Sequence, residues 1–123
     1  MSDQIFQHLP LAPASLHILL ALSGDVLHGY GIMQEVARQS DNRYKLGPGT
    51  LYDNLQRLVA QGLVEEQAGQ GGEEDSRRRY YGLSRLGREV LLAETDRLDG
   101  VVRAARQRLG VRAGRRSYVP QSL

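Results

Sequence analysis

The 123-residue chain has no cysteine, no tryptophan, a single phenylalanine and a single lysine, Lys45. Without thiols there is no disulfide framework, no thiolate nucleophile and no cysteine-bound zinc. Long apolar runs are missing as well. The longest, Ile18 to Leu22, is far too short to cross a bilayer, so no membrane partner is expected. No basic segment leads into an apolar stretch after Met-Ser-Asp-Gln, and His8, Pro10 and Pro13 interrupt the next dozen residues. No secretory signal is visible, and cytoplasmic residence is the expectation.

Assembled chemistry is scarce too. His8, His17 and His28 lie nine and eleven residues apart, with no H-x-x-x-H pair, which argues against a metal site and for structural roles. Gly69-Gln70-Gly71-Gly72 is not followed by a helix and Gly29-Tyr30-Gly31 lacks a third glycine, so neither is a phosphate or dinucleotide loop. No G-x-S-x-G occurs. The chain is expected not to be an enzyme and to carry no cofactor.

What is present is a composition of 41% hydrophobic and 24% charged residues, enough for one globular core at this length. The charge is unevenly placed. Residues 1–75 hold four basic against ten acidic side chains, a net −6, whereas residues 76–123 hold twelve arginines against four acids, a net +8. Arginine's planar fork suits phosphate, so the basic half points to a polyanionic partner, nucleic acid first, with a solvated arginine-rich face as the alternative.

Periodicity gives the order of elements. Pro13 to Ser23 places Leu16, Leu19 and Leu20 on one helical face, and Ser23-Gly24-Asp25 stops it. A second helix starts after His28-Gly29-Tyr30-Gly31, with Ile32, Met33, Val36 and Ala37 at helical spacing. Gly47-Pro48-Gly49 then leads to a third, for which Thr50 and Asp53 form an expected capping box, while Leu51, Leu55, Leu58 and Val59 form the buried stripe. Leu63–Gln67 and Arg77–Leu83 change to strand character around the glycine-rich, acidic stretch 68–76, which predicts a β-hairpin. A last helix runs from Ser84 to about Leu109, with Leu86, Val90, Leu91, Leu98, Val101, Val102, Ala105 and Leu109 on a broad stripe. At 1.5 Å per residue it is nearly 40 Å long, more than so small a body can cover, and the uncovered stripe calls for a partner.

Three short helices and then a hairpin is the order of a winged helix-turn-helix, whose third helix enters the major groove of DNA. Removing the buried stripe leaves Thr50, Tyr52, Asp53, Asn54, Gln56 and Arg57 outward, with Asn54 and Arg57 as the natural base readers. An ordinary polar helix surface is the alternative. Asp53 would repel phosphate. In the hairpin, Arg77, Arg78 and Arg79 can reach phosphate or a narrow minor groove, or instead pair with Glu73, Glu74 and Asp75 just before them. One of Tyr80 and Tyr81 should be core.

Leu27-His28-Gly29-Tyr30-Gly31-Ile32, then Gly49-Thr50-Leu51-Tyr52 with Leu55, Leu58 and Gly62-Leu63-Val64, then Arg79-Tyr80-Tyr81-Gly82-Leu83-Ser84 resemble the PadR family of transcriptional regulators. The resemblance covers roughly residues 14–109. It implies a mainly α fold with a small β-hairpin wing and a C-terminal dimerisation helix: an arm at 1–13, a winged helix-turn-helix at 14–84, the dimerisation helix at 85–110, and a basic tail at 111–123, read as disordered from its lack of periodicity. It implies a homodimeric repressor on a palindromic operator in double-stranded DNA, with a small aromatic effector in some members. Thr50, Tyr52 and Arg57 match the recognition-helix block, Arg78 and Arg79 the wing, and Tyr30 the start of helix two near the DNA backbone. Leu91, Leu98, Val101, Val102, Ala105 and Leu109 would line the dimer interface. Asp53 and the acidic hairpin tip depart from the family pattern and keep a second reading open, a winged-helix protein-interaction module without DNA binding.

Overall fold

The structure, a computed structural model, describes residues 3–69 and 78–110. Its elements are α1 (Asp3–Phe6), α2 (Pro13–Leu22), β1 (Leu27–His28), α3 (Gly29–Gln39), α4 (Pro48–Ala60), β2 (Val64–Ala68), β3 (Arg79–Leu83) and α5 (Arg85–Leu109). The expected three helices, hairpin and long last helix are all formed. Arg77, the acidic hairpin tip and the tail 111–123 lie outside the described residues.

Local chemistry sets the helix starts. Pro13 opens α2 at a position where its missing N–H has no intrahelical acceptor to satisfy. His28 caps α3: its Nδ1 accepts the Gly31 amide at 3.0 Å, one of the orphan donors of a first helical turn. The capping box expected at Thr50 and Asp53 is not formed. Pro48 takes the first position of α4 behind Gly47, with no side-chain cap, which moves Thr50 into the first turn and Asp53 into the second. Between α3 and α4 the chain turns through Asp41 and Asn42 at φ 56° and 62°, the left-handed region that these two side chains tolerate better than most. Tyr44 holds that turn down, stacking on His17 of α2 with ring centroids 4.3 Å apart.

The two expected strands gain a third. β1 pairs antiparallel with β3, giving the order β1-β3-β2, with Leu27 opposite Tyr81 and Val64 opposite Leu83. Period-two alternation buries Tyr81, while Tyr80 meets the edge of His28 at 5.4 Å. The core beneath is formed by Ile18, Leu19, Ile32, Val36, Leu51, Leu55, Leu58, Leu63, Val64 and Val90, all fully buried.

α5 is rooted in this core. The Ser84 hydroxyl caps it by accepting the Gly87 amide at 2.9 Å and donates to the Gly62 carbonyl at 2.6 Å, tying the helix to the base of the wing. Only glycine fits at 87, because a Cβ there would lie 2.0 Å from the Leu63 carbonyl oxygen. The amino-terminal arm is docked rather than loose. Ile5 of α1 is buried, Leu9 and Leu11 pack on the core, and the Leu11 amide donates to the Glu94 carboxylate of α5 at 3.0 Å. Glu94 is 1% exposed, and the same carboxylate receives Arg97 at 2.6 and 2.9 Å. Chiefly through the Arg97 hydrogen bond, and helped by the Leu11 amide against the opposing effect of burial, its carboxyl is held below the ordinary value of 4.5.

Candidate nucleic-acid interface

On one side of the body the start of α3, the outer edge of α4 and the base of the wing enclose a cleft of about 550 Å³. His28, Gly29, Tyr30, Tyr52, Arg78, Arg79 and Tyr81 line it. Four of the residues expected to meet DNA, drawn from three separate sequence blocks, therefore converge on one surface. The convergence has a steric basis at Gly29, where a Cβ would sit 2.2 Å from the Tyr52 hydroxyl. That close approach lets α4 lie across the start of α3 and keeps Tyr52 at the cleft, with Tyr30 exposed beside it.

Beyond the cleft, Thr50, Asp53 and Arg57 share the outward face of α4, as their spacing of three and four residues requires. Asn54 does not belong with them. It is 8% exposed; its Nδ2 donates to the Thr50 carbonyl at 2.8 Å, and its Oδ1 accepts from Arg57 Nη1 at 3.4 Å. This buried, hydrogen-bonded amide is turned away from the outward face that carries Thr50, Asp53 and Arg57. The sequence misleads here because Asn54 comes three residues after Leu51 and four before Leu58, on the buried stripe itself.

The wing holds an ion pair of its own. Arg79 pairs with Glu66 across the hairpin, an acid that sequence reasoning does not single out beside the tip carboxylates. The register contains the signal: Glu66 lies opposite Tyr81, so it shares a sheet face with Arg79, two residues before Tyr81. The Glu66 carboxylate raises the Arg79 guanidinium above its ordinary value, so Arg79 is a fixed cation already shared with an internal anion. Arg78 is exposed and makes no ion pair among the described residues. Burial, foremost, and the nearby Glu66 carboxylate push the Tyr81 phenol above 10, which keeps its O–H as a donor.

On α5, Val101, Val102 and Ala105 are exposed, Leu109 is 77% exposed and Leu98 is half-buried. Leu91, expected with them at an interface, is 7% exposed and packs within the core of its own chain. No helix among the described residues is long and apolar enough to cross a membrane.

A trihelical body, a three-stranded wing and an outward polar helix bordering a basic aromatic cleft define the class as winged helix-turn-helix. A sequence profile of the Transcriptional regulator PadR-like family matches residues 18–93. The chain is 37% identical over 93 residues to Transcriptional regulator Rv3488 of Mycobacterium tuberculosis, covering 75% of this chain and 81% of that protein. It is 40% identical over 92 residues to an uncharacterised 37.1 kDa protein of transposon TN4556 from Streptomyces fradiae, covering 72% of this chain but only 25% of that much longer protein. The fold is similar to that of Bacillus subtilis PadR in complex with operator DNA, with a TM-score of 0.59 at 18% identity, over 93% of this chain and 54% of that one. The chain belongs to the PadR family: it is a DNA-binding transcriptional regulator, and the family is one of regulators rather than enzymes.

Proposed function

We propose that the chain is a repressor that binds a palindromic operator as a homodimer, acting in the cytoplasm. The observation that carries this reading is the convergence of Tyr30, Tyr52, Arg78 and Arg79 on one cleft beside the exposed Thr50 and Arg57 of α4. Hydroxyls and guanidinium groups supply the donors that phosphates need, while Thr50 and Arg57 supply groups for base edges. Asn54 acts behind Arg57 as a positioning residue. The uncovered stripe of α5 supports the dimer, because two copies joined there present two α4 helices to one duplex about 34 Å apart, one helical turn. The operator DNA bound by the Bacillus relative fits the same reading. Release by a small aromatic ligand belongs to the proposal, with the seam between the two copies as its place.

Two acids favour a second reading, a winged-helix module that recognises protein. Asp53 stands in the middle of the outward face of α4 without a cap to form, and Glu66 already neutralises Arg79. Selection from random duplex DNA at two salt concentrations decides between them. Recovery of a palindrome bound more weakly at higher salt supports the repressor; absence of binding at either salt supports the protein-interaction module.

A further inference from the structure

α4 carries a single acidic residue, Asp53, and the fold supplies no partner for it. It is exposed and makes no hydrogen bond or ion pair among the described residues. The ordinary reasons for an acid in a helix fail here. The cap falls at Gly47, so Asp53 belongs to no capping box. As the sixth residue of the helix it lies beyond the first turn, where the dipole would favour it. Arg57 follows at the i+4 spacing that suits an ion pair, yet its Nη1 reaches Asn54 Oδ1 at 3.4 Å and leaves the Asp53 carboxylate alone.

Thr50 and Arg57 flank this carboxylate on the same outward face, and the neighbouring Tyr52 borders the cleft. A recognition helix presents its N-terminal residues to base edges in the major groove. There a carboxylate is an acceptor and nothing else. Phosphates and the two acceptors of guanine repel it, and thymine offers only a carbonyl and a methyl group. The remaining two bases present an amino donor. In adenine that amine adjoins the N7 acceptor, whereas cytosine presents its N4 amine alone.

We infer that Asp53 is a specificity-determining residue whose carboxylate accepts a hydrogen bond from the N4 amine of one cytosine in each operator half-site. The inference rests on the DNA-binding reading and deepens it by naming a base. The repulsion between Asp53 and phosphate then contributes to selectivity, because it weakens binding to every sequence that lacks a donor at that position.

The test uses the full chain and its Asp53→Ala and Asp53→Asn variants, each put through selection from random duplex DNA. The wild type should recover a motif with a fixed cytosine in each half-site. Asp53→Ala should lose the preference at that position and keep the rest of the motif, which also shows that the variant is folded. Asp53→Asn should move the preference there to adenine, whose N6 and N7 match an amide. Changing that C·G pair to T·A in one half-site should weaken wild-type binding roughly tenfold and leave Asp53→Ala binding unchanged. Asp53→Asn should bind the wild-type motif more weakly and a mixed-sequence duplex more tightly, a reversal of sign that loss of a simple repulsion does not produce. If both variants recover the wild-type motif with the same strictness at every position, Asp53 reads no base and the DNA-binding reading stands without it. If the position that responds to Asp53 holds a base other than cytosine in the wild-type motif, the cytosine assignment fails. If the wild type binds no duplex, the DNA-binding reading falls and the inference with it.

Discussion

The two halves of α5 carry one continuous apolar stripe and have opposite surroundings. From Arg85 to Arg97 the stripe is Gly87, Val90 and Leu91, buried against the body of the same chain, and it ends at the buried carboxylate of Glu94. From Leu98 onward it continues through Val101, Val102, Ala105 and Leu109, and there the body has ended and the side chains stand largely in the open. The spacing of three, four and seven residues is the same on both sides of the divide. Periodicity therefore marks the face, and the reach of the body decides how much of it the chain itself covers. The outer half keeps its helix by local means, with an Asp99–Arg103 pair at 3.4 Å, Arg106 and Arg108 at the negative end of the dipole, and Gly110 closing it at φ 74°.

Substitutions can break this contrast at either end. In the inner half, Leu91→Ala should cost about 3 kcal/mol of stability at every protein concentration, measured by urea unfolding. In the outer half, Val102→Glu with Leu109→Glu should leave the body folded and abolish self-association at micromolar concentration, measured by sedimentation, because like charges would face each other across a two-fold seam. The junction has its own sign. The Glu94 carboxyl is lowered in the folded chain, so its contribution is present above the ordinary value of 4.5 and is lost as pH falls through the lowered one. Glu94→Gln should therefore destabilise the chain by about 1–2 kcal/mol at neutral pH and flatten the acid limb of its stability profile, read by thermal melting across pH. The smallest effect is on the DNA face, where Asp53→Asn should tighten binding to a mixed-sequence duplex by about threefold at low salt, through loss of one repulsion across high-dielectric solvent.

Much of this fold is legible in the residues. Strong stripes such as Leu51–Leu55–Leu58 and the turn residues between them specify elements locally, and the placement of Tyr30, Tyr52, Arg78 and Arg79 on one surface comes once those elements take the winged-helix order. Three features are not legible, for different reasons. β1 is two residues long, Leu27 and His28, and exists only because β3 passes beside it; two residues carry no period. The arm is held by a bond from Leu11 to Glu94, 83 residues away, and nothing in either neighbourhood announces it. Asn54 and the start of α4 mislead together. A capping box at Thr50 matches the local pattern, but Pro48 is compatible with a first turn and the cap falls at Gly47, three residues earlier. The polar residue at 54 then turns inward, where the Thr50 carbonyl and Arg57 satisfy it.

That the outer half of α5 is a seam between two copies is tested most directly by sedimentation of the full chain at micromolar concentration, beside the Val102→Glu, Leu109→Glu variant. The full chain should sediment as a dimer and the variant as a folded monomer. A stable full-length monomer with its outer stripe exposed, or a dimer that survives both charges, would show that the seam lies elsewhere or does not form.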